Sequence, residues 1–257
     1  MASSQLQLVA LQNFPLVEPG DDLSTMVADS LLGNQLSLQD GDVLVLAQKI
    51  FSKAEGRYVR LSDVSPSEEA LALAQRCDKD PRQMECVLQE SREVLRARPG
   101  VVIVEHRLGV VHANAGIDKS NIPPNTEDDP QLLLLPIDPD ASARRLKAAL
   151  DARFSANIAV IINDSAGRAW RNGTVGFALG TAGFEVVENR IGDADLFGRT
   201  LEVTEIAVAD ELAAAASYLM GQADEGCPVV LLRGANLRPS DEGSQGLLRD
   251  RDRDMFR

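Results

Sequence analysis

Short apolar runs recur along the chain, each released into a polar or glycine-bearing stretch. Leu6 to Val17 reads as an opening strand that ends in Asn13-Phe14-Pro15-Leu16-Val17. Val43 to Leu46, Leu132 to Leu135, Ile158 to Ile162 and Pro228 to Leu232 are apolar throughout, as strands buried on both faces are. Val101 to Glu105 and Gly109 to His112, with His106-Arg107-Leu108 between them, predict a hairpin. Helical spacing alternates with these runs. Gly20-Asp21-Asp22 can cap a helix carrying Leu23, Met26, Val27, Ser30 and Leu31 on one face. Ser65-Pro66-Ser67-Glu68 predicts a helix start with Ser65 as cap, Pro66 in the first position and Glu68 closing a capping box, the helix running to about Arg76. Asp80-Pro81 predicts a helix to about Ala97, with Met84, Val87, Leu88, Val94 and Leu95 on its core face and Arg98-Pro99-Gly100 as its stop. Asp138-Pro139 predicts a helix to Phe154 with Arg144, Arg145 and Lys147 in solvent, and Glu205 to Leu219 an alanine-rich one. Alternating Asp and Arg from Arg238 onward predict a solvated tail, with Met255-Phe256 able to dock. Irregular alternation with several hairpins favours α+β over a doubly wound sheet.

Composition narrows the function classes. The chain has 257 residues and a net charge of −13, which disfavours non-specific nucleic-acid binding. No stretch approaches the roughly 18 apolar residues of a membrane span. Cys77, Cys86 and Cys227 are odd in number and form no CxxC pair, so reduced thiols in a cytoplasmic protein are expected. The histidines, His106 and His112, read as turn and strand residues and exclude a His-rich metal site, leaving a hard-cation site made of oxygens.

Three strand exits carry candidate chemistry. Val111 to Asn125 offers Asp118, Lys119, Ser120 and the amides of Asn114, Asn121 and Asn125 before Pro123-Pro124 stops regular structure. Such residues serve a surface turn and a metal–phosphate loop alike. Gln48 to Gly56 places Lys49 and Lys53 directly after a buried strand, as an exposed basic turn or as phosphate-binding point charges. Asn163-Asp164-Ser165 follows Ile162, as an Asx turn or a ligand, with Arg168 and Arg171 adding cations nearby. Val175 to Gly183 is glycine-rich without a G-x-G-x-x-G, and the chain has no Walker A lysine; close backbone packing accounts for those glycines. Asp193 to Arg199 reads as a loop, and Met220 to Cys227 as a flexible acidic connection.

Four stretches, in order, resemble the coenzyme F420-0:L-glutamate ligase (gamma-glutamyl ligase) family. They are Gly41 to Val45 with Ser52 to Gly56; Asn114 to Asn121; Asp164 to Arg168 with Gly173 to Ala178; and Asp195 to Arg199 through Ala209-Asp210-Glu211 to Met220-Gly221. The resemblance spans about residues 7 to 237 and implies a ligase domain over 1–237 followed by a charged tail, 238–257. It implies GTP-dependent addition of L-glutamate to the terminal carboxylate of the deazaflavin precursor F420-0, with GDP and phosphate as products; because amide formation from a free carboxylate is uphill, an acyl-phosphate intermediate is expected. It also implies Mn²⁺ or Mg²⁺, two per subunit, with K⁺, and an intertwined homodimer of mixed and antiparallel sheets outside the P-loop and Rossmann groups. Carried over residue by residue, Asp118 and Asp164 are metal-binding acids, with Ser165 and Gln222 as neutral metal ligands. Lys53 and Asn121 contact nucleotide, as do the segments Phe14-Pro15-Leu16-Val17 and Met220-Gly221-Gln222-Ala223-Asp224-Glu225-Gly226-Cys227. Gln48 stands where relatives have a small hydroxyl residue, so its amide has to replace that contact. Some relatives carry a C-terminal flavin-binding reductase domain; the chain ends at Arg257, and no reductase step is expected. A metal-dependent phosphohydrolase and a non-catalytic nucleotide-binding protein are the alternative functions.

Overall fold

The computed structural model describes residues 5–122 and 130–255. Pro123, Pro124, Asn125 and Phe256 lie outside the described residues. The chain begins β1 (Gln7–Ala10), α1 (Leu23–Gly33), β2 (Val43–Ala47), α2 (Gln48–Ala54) and β3 (Tyr58–Arg60). It continues α3 (Glu68–Cys77), α4 (Pro81–Gln89), β4 (Ser91–Arg98), β5 (Val101–His106), β6 (Val111–Ala113) and β7 (Gln131–Leu133). Then come α5 (Pro139–Phe154), β8 (Ala159–Arg168), β9 (Arg171–Ala182), β10 (Glu188–Asn189), β11 (Glu205–Ile206), α6 (Val208–Met220) and β12 (Val229–Arg233).

One mixed sheet of order β1-β12-β2-β8-β9 forms the centre, with β2 and β8 parallel and the other neighbours antiparallel. Both faces are covered, which is why β2 is apolar at consecutive positions. Leu44 and Leu46 pack on one side with Val27, Leu31, Leu146 and Leu150 of α1 and α5. Val43 and Val45 pack on the other with Leu212, Ala213 and Ala216 of α6. A second core joins α3 and α4 to β5 and β7 through Leu73, Met84, Val87, Val102, Val104 and Leu132. Helices and sheets in separate layers, with antiparallel hairpins, make the fold α+β, as expected.

Several local expectations need correction. The opening strand stops at Ala10, because Asn13 takes a positive φ of 58° and the chain turns away from β12. Gln48 to Ala54 is not a turn but α2. The cap of α3 is Ser67, not Ser65, and the acid that accepts its backbone N–H is Glu85 of α4, not Glu68. The helix from Pro81 ends at Gln89, and Ser91 to Arg98 is a strand. Local composition there is helix-compatible, but pairing with the apolar β5 overrides it, and Arg98-Pro99-Gly100 becomes the hairpin turn. Beyond Arg238 the chain is partly docked: Ser244 is buried and Arg251 reaches Glu93 and Glu105, each at 2.6 Å.

Asp164-Ser165 does not form a turn after the strand either. β8 runs on to Arg168, with Asp164 opposite Phe177 and Ser165 opposite Gly176. Gly176 and Gly180 of β9 serve close packing, as expected. A Cβ at Gly176 would lie 2.5 Å from Ser217 Cβ and 2.7 Å from Ala213 O, so α6 sits directly on this strand. A Cβ at Gly180 would lie 2.5 Å from Pro139 Cβ.

Candidate active site

The parallel pair β2–β8 ends at Ala47 opposite Asn163, and the start of α2, the Asp118 loop and the end of α6 gather around this rim. Helix α2 starts there. Its Lys49 ammonium lies 2.7 Å from Asp118 Oδ2 and donates to Ser120 Oγ at 2.8 Å. Asp118 Oδ1 accepts from the backbone N–H of Lys119 and Ser120, at 2.6 and 2.7 Å. Burial alone would raise the Asp118 pKa, but Lys49 and the Ser120 N–H hold it below the ordinary carboxylate value.

The backbone fixes that carboxylate. Asn114, Ala115 and Gly116 have φ of 52°, 55° and 66°, three left-handed residues in succession. They swing the chain out of β6 so that Asp118 pairs with Leu133, with N–H to O contacts of 3.0 and 2.9 Å. A Cβ at Gly116 would lie 2.8 Å from Leu135, so the bend also needs glycine. Left-handed non-glycine residues cost of order 1 kcal/mol or more each and cluster at functional sites.

Alternation along β8 sends neighbouring side chains to opposite faces. Asn163 turns to α6, with Nδ2 3.7 Å from Met220 Sδ. Asp164 turns to β6, where Oδ2 lies 3.4 Å from His112 Nε2. That is an ion-pair distance rather than a hydrogen bond, and both atoms are buried without a hydrogen-bond partner. Asp164 Oδ1 accepts from Ser165 N at 2.8 Å. Burial pushes the His112 pKa down, but Asp164 and the Ala113 carbonyl outweigh it and leave it raised.

The segment Met220 to Cys227 closes the rim from the other side. Gly221 ends α6 at φ 73°, where a Cβ would run into the Glu225 carboxylate. Gln222 Nε2 donates to Ser217 Oγ at 3.1 Å, and Ala223 N to Glu225 Oε2 at 2.8 Å. Asn121 Nδ2 donates to Ala223 O at 2.9 Å, which ties this segment to the Asp118 loop. Asp224 and Gly226 are exposed, and Cys227 is buried, accepting from Gln12 Nε2 at 3.4 Å. In the N-terminal segment Phe14 packs on the core and Val17 is buried, while Pro15 and Leu16 are exposed. Gly20 N bonds Ala54 O at 2.8 Å, holding that segment to α2.

The predicted residues are therefore brought to one rim in unequal ways. Asp118 and Asn121 are joined to their surroundings by direct side-chain contacts. Among the described residues no hydrogen bond or ion pair joins Asp118 to Asp164; Lys49, Ala47 and Asn163 connect them. Lys53 is half-buried on α2, and burial and the neighbouring Lys49 charge lower its pKa. Gln48 is 3% exposed, and its Oε1 accepts from Ser52 Oγ at 2.8 Å, inside α2. Two contacts of the site, those of Lys49 and His112, join residues far apart in the chain. Lys49 precedes Lys53 by one helical turn, so the spacing places both on one face. His112 gave no local signal, since its role depends on β6 meeting β8. Among the described residues no group of three or more His, Cys, Asp or Glu side chains could hold a metal ion, and no helix is long and apolar enough to cross a membrane.

Residues 12–234 match the model of the family described as F420-0:Gamma-glutamyl ligase. The chain is 46% identical over 255 residues to the coenzyme F420:L-glutamate ligase of Methanothermobacter thermautotrophicus, covering 98% of this chain and 99% of that protein. It is 44% identical over 247 residues to the protein of the same name from Methanopyrus kandleri, covering 94% and 93% of the two. The protein of that name from Methanocaldococcus jannaschii is 37% identical over 255 residues, covering 98% of this chain and 97% of that one.

Proposed function

The chain belongs to the F420-0:gamma-glutamyl ligase family, and from that premise we propose that it joins L-glutamate to the terminal carboxylate of coenzyme F420-0, using GTP. Amide formation from a free carboxylate is uphill, so the carboxylate needs activation. Its oxygen attacks the γ-phosphorus of GTP, the bond to GDP breaks, and an acyl phosphate forms. The glutamate amine then attacks the acyl carbon, phosphate leaves, and the amine gives up a proton. The products are the glutamyl amide, GDP and phosphate.

Phosphoryl transfer calls for positioning and charge neutralisation rather than covalent help. Lys49 at the start of α2 and Lys53 in its last turn offset phosphate charge. Asn121, the 220–227 segment it is bonded to, and the segment from Phe14 to Val17 hold the nucleotide. Each of the two acids also suits a divalent cation. Asp118 Oδ2 already faces a cation, the Lys49 ammonium, and Asp164 Oδ2 is buried without a hydrogen-bond donor. Asp118 and Asp164, with Ser165 and Gln222, would hold Mn²⁺ or Mg²⁺. Bound there, such cations would supply positive charge to the transferring phosphoryl group. K⁺ is part of the same reading. So is a homodimer, for which the almost wholly exposed Trp170, Leu196 and Phe197 offer apolar surface.

The observation that carries this reading is the meeting, at one sheet rim, of the start of α2, the Asp118 loop, β8 at Asp164 and the 220–227 segment. Mass spectrometry of the deazaflavin after incubation with GTP, Mn²⁺ and L-glutamate tests it. Product heavier by whole glutamyl units is expected. Phosphate release without any mass gain would instead establish a nucleotide phosphohydrolase.

A further inference from the structure

His112 and Asp164 face each other across a gap that a proton-bearing nitrogen should fill and does not. The His112 ring is held on three sides. Its Nδ1 lies 2.9 Å from Ala113 O; a carbonyl only accepts, so Nδ1 carries a proton. The ring leans on Phe177, centroid to centroid 5.8 Å. The side chain is 10% exposed. In the neutral ring, Nε2 is then a lone pair, aimed at Asp164 Oδ2 from 3.4 Å. Two electron-rich atoms, both buried and both without a hydrogen-bond partner, are an arrangement that a shared cation relieves. An imidazolium–carboxylate bond would close to about 2.7–2.9 Å.

We propose that His112 is a further metal ligand of this site: Nε2 and Asp164 Oδ2 take one divalent cation between them. The inference rests on the reading of Asp164 as a metal-binding acid. With metal bonds of about 2.0–2.2 Å, two ligand atoms 3.4 Å apart fit one coordination sphere. A proton on Nδ1 directed at a carbonyl is the outer contact that orients metal-bound imidazoles. An imidazole donor also has a chemical consequence. Mg²⁺ takes oxygen ligands and keeps its waters, whereas Mn²⁺ accepts imidazole more readily. His112 therefore biases the site toward Mn²⁺.

The test is pulsed electron paramagnetic resonance of the Mn²⁺-loaded protein, with and without GDP. The expected result is a ¹⁴N coupling of the size given by directly bonded imidazole. It should convert to a ¹⁵N coupling when histidine is ¹⁵N-labelled, and it should vanish in His112→Gln. The other histidine, His106, is wholly buried beside Glu90 and cannot account for it. His112→Gln should weaken Mn²⁺ about tenfold and Mg²⁺ by much less. Bound Mn²⁺ without a histidine nitrogen coupling in the unaltered protein would overturn the proposal and leave the carboxylate reading intact. No bound Mn²⁺ at all would overturn both. The labelling experiment needs no variant, so a failure of His112→Gln to fold would not blunt it.

Discussion

The molecule contains two buried histidine–carboxylate pairs, and they differ in what surrounds them. His106 Nε2 lies 3.3 Å from Glu90, and His112 Nε2 lies 3.4 Å from Asp164. His106 Nδ1 accepts from the Leu108 N–H at 3.0 Å, so the neutral ring turns its Nε2 proton toward Glu90. His106 Nε2 makes no hydrogen bond, but Glu90 accepts from Arg57 and Arg107, each at 3.0 Å. Burial alone would raise its pKa, but His106, Arg107 and Arg57 hold it down to about 2. His112 has the opposite tautomer, and Asp164 Oδ2 has no hydrogen-bond donor. A saturated acid holds a fold together; an unsaturated buried acid is prepared for something that binds. The first pair joins α4 to the β5–β6 hairpin, and the second stands on the rim beside the start of α2 and the end of α6.

Substitutions can break the contrast from either side. The largest effect is expected from Asp164→Asn, which keeps the bond from Ser165 N but removes the charge. Turnover should fall about 10³-fold or more while the melting temperature stays within a few degrees, read by a ligation assay beside calorimetry. Equal losses of activity and stability would make the Asp164 pair structural, like the Glu90 pair. Glu90→Ala should do the reverse. It strands two guanidinium groups and should cost about 3 kcal/mol in urea unfolding, with kcat per folded molecule changed only a few-fold.

Acid gives a smaller, graded version of that loss. Because the folded Glu90 pKa lies below its ordinary value of 4.5, its contribution is complete above about pH 4.5. It is lost as pH falls toward about 2, and is of order 2 kcal/mol for a partly solvated group. The unaltered protein should therefore lose more stability between pH 5 and 3 than Glu90→Gln does. Arg251→Ala should have the smallest effect, barely moving the melting temperature. Its guanidinium is largely exposed, although it reaches the buried Glu105.

Legibility in the sequence followed the range of the interactions. Val43 to Leu46 and Ile158 to Ile162 were readable because both faces of their strands are buried, so no polar position interrupts them. Ser91 to Arg98 was not, because the strand exists only against β5. The chemistry of Asp118 and Asn121 was visible in one loop, but the partner of Asp118 is Lys49, whose choice over Lys53 depends on the rotation of α2. His112 looked like an ordinary strand residue, since its meeting with Asp164 joins positions far apart in the chain. The docking of Arg251 onto Glu93 and Glu105 was hidden for the same reason.

One measurement bears most directly on the central claim that this rim activates a carboxylate for glutamate transfer. Glutamyl product and phosphate would be counted in the same reaction, with F420-0, GTP, Mn²⁺ and L-glutamate, for the unaltered protein and for Asp164→Asn. The expected result is one phosphate per glutamyl bond in the unaltered protein and neither product in the variant. Phosphate formed without glutamyl product, or product formed undiminished by Asp164→Asn, would contradict it.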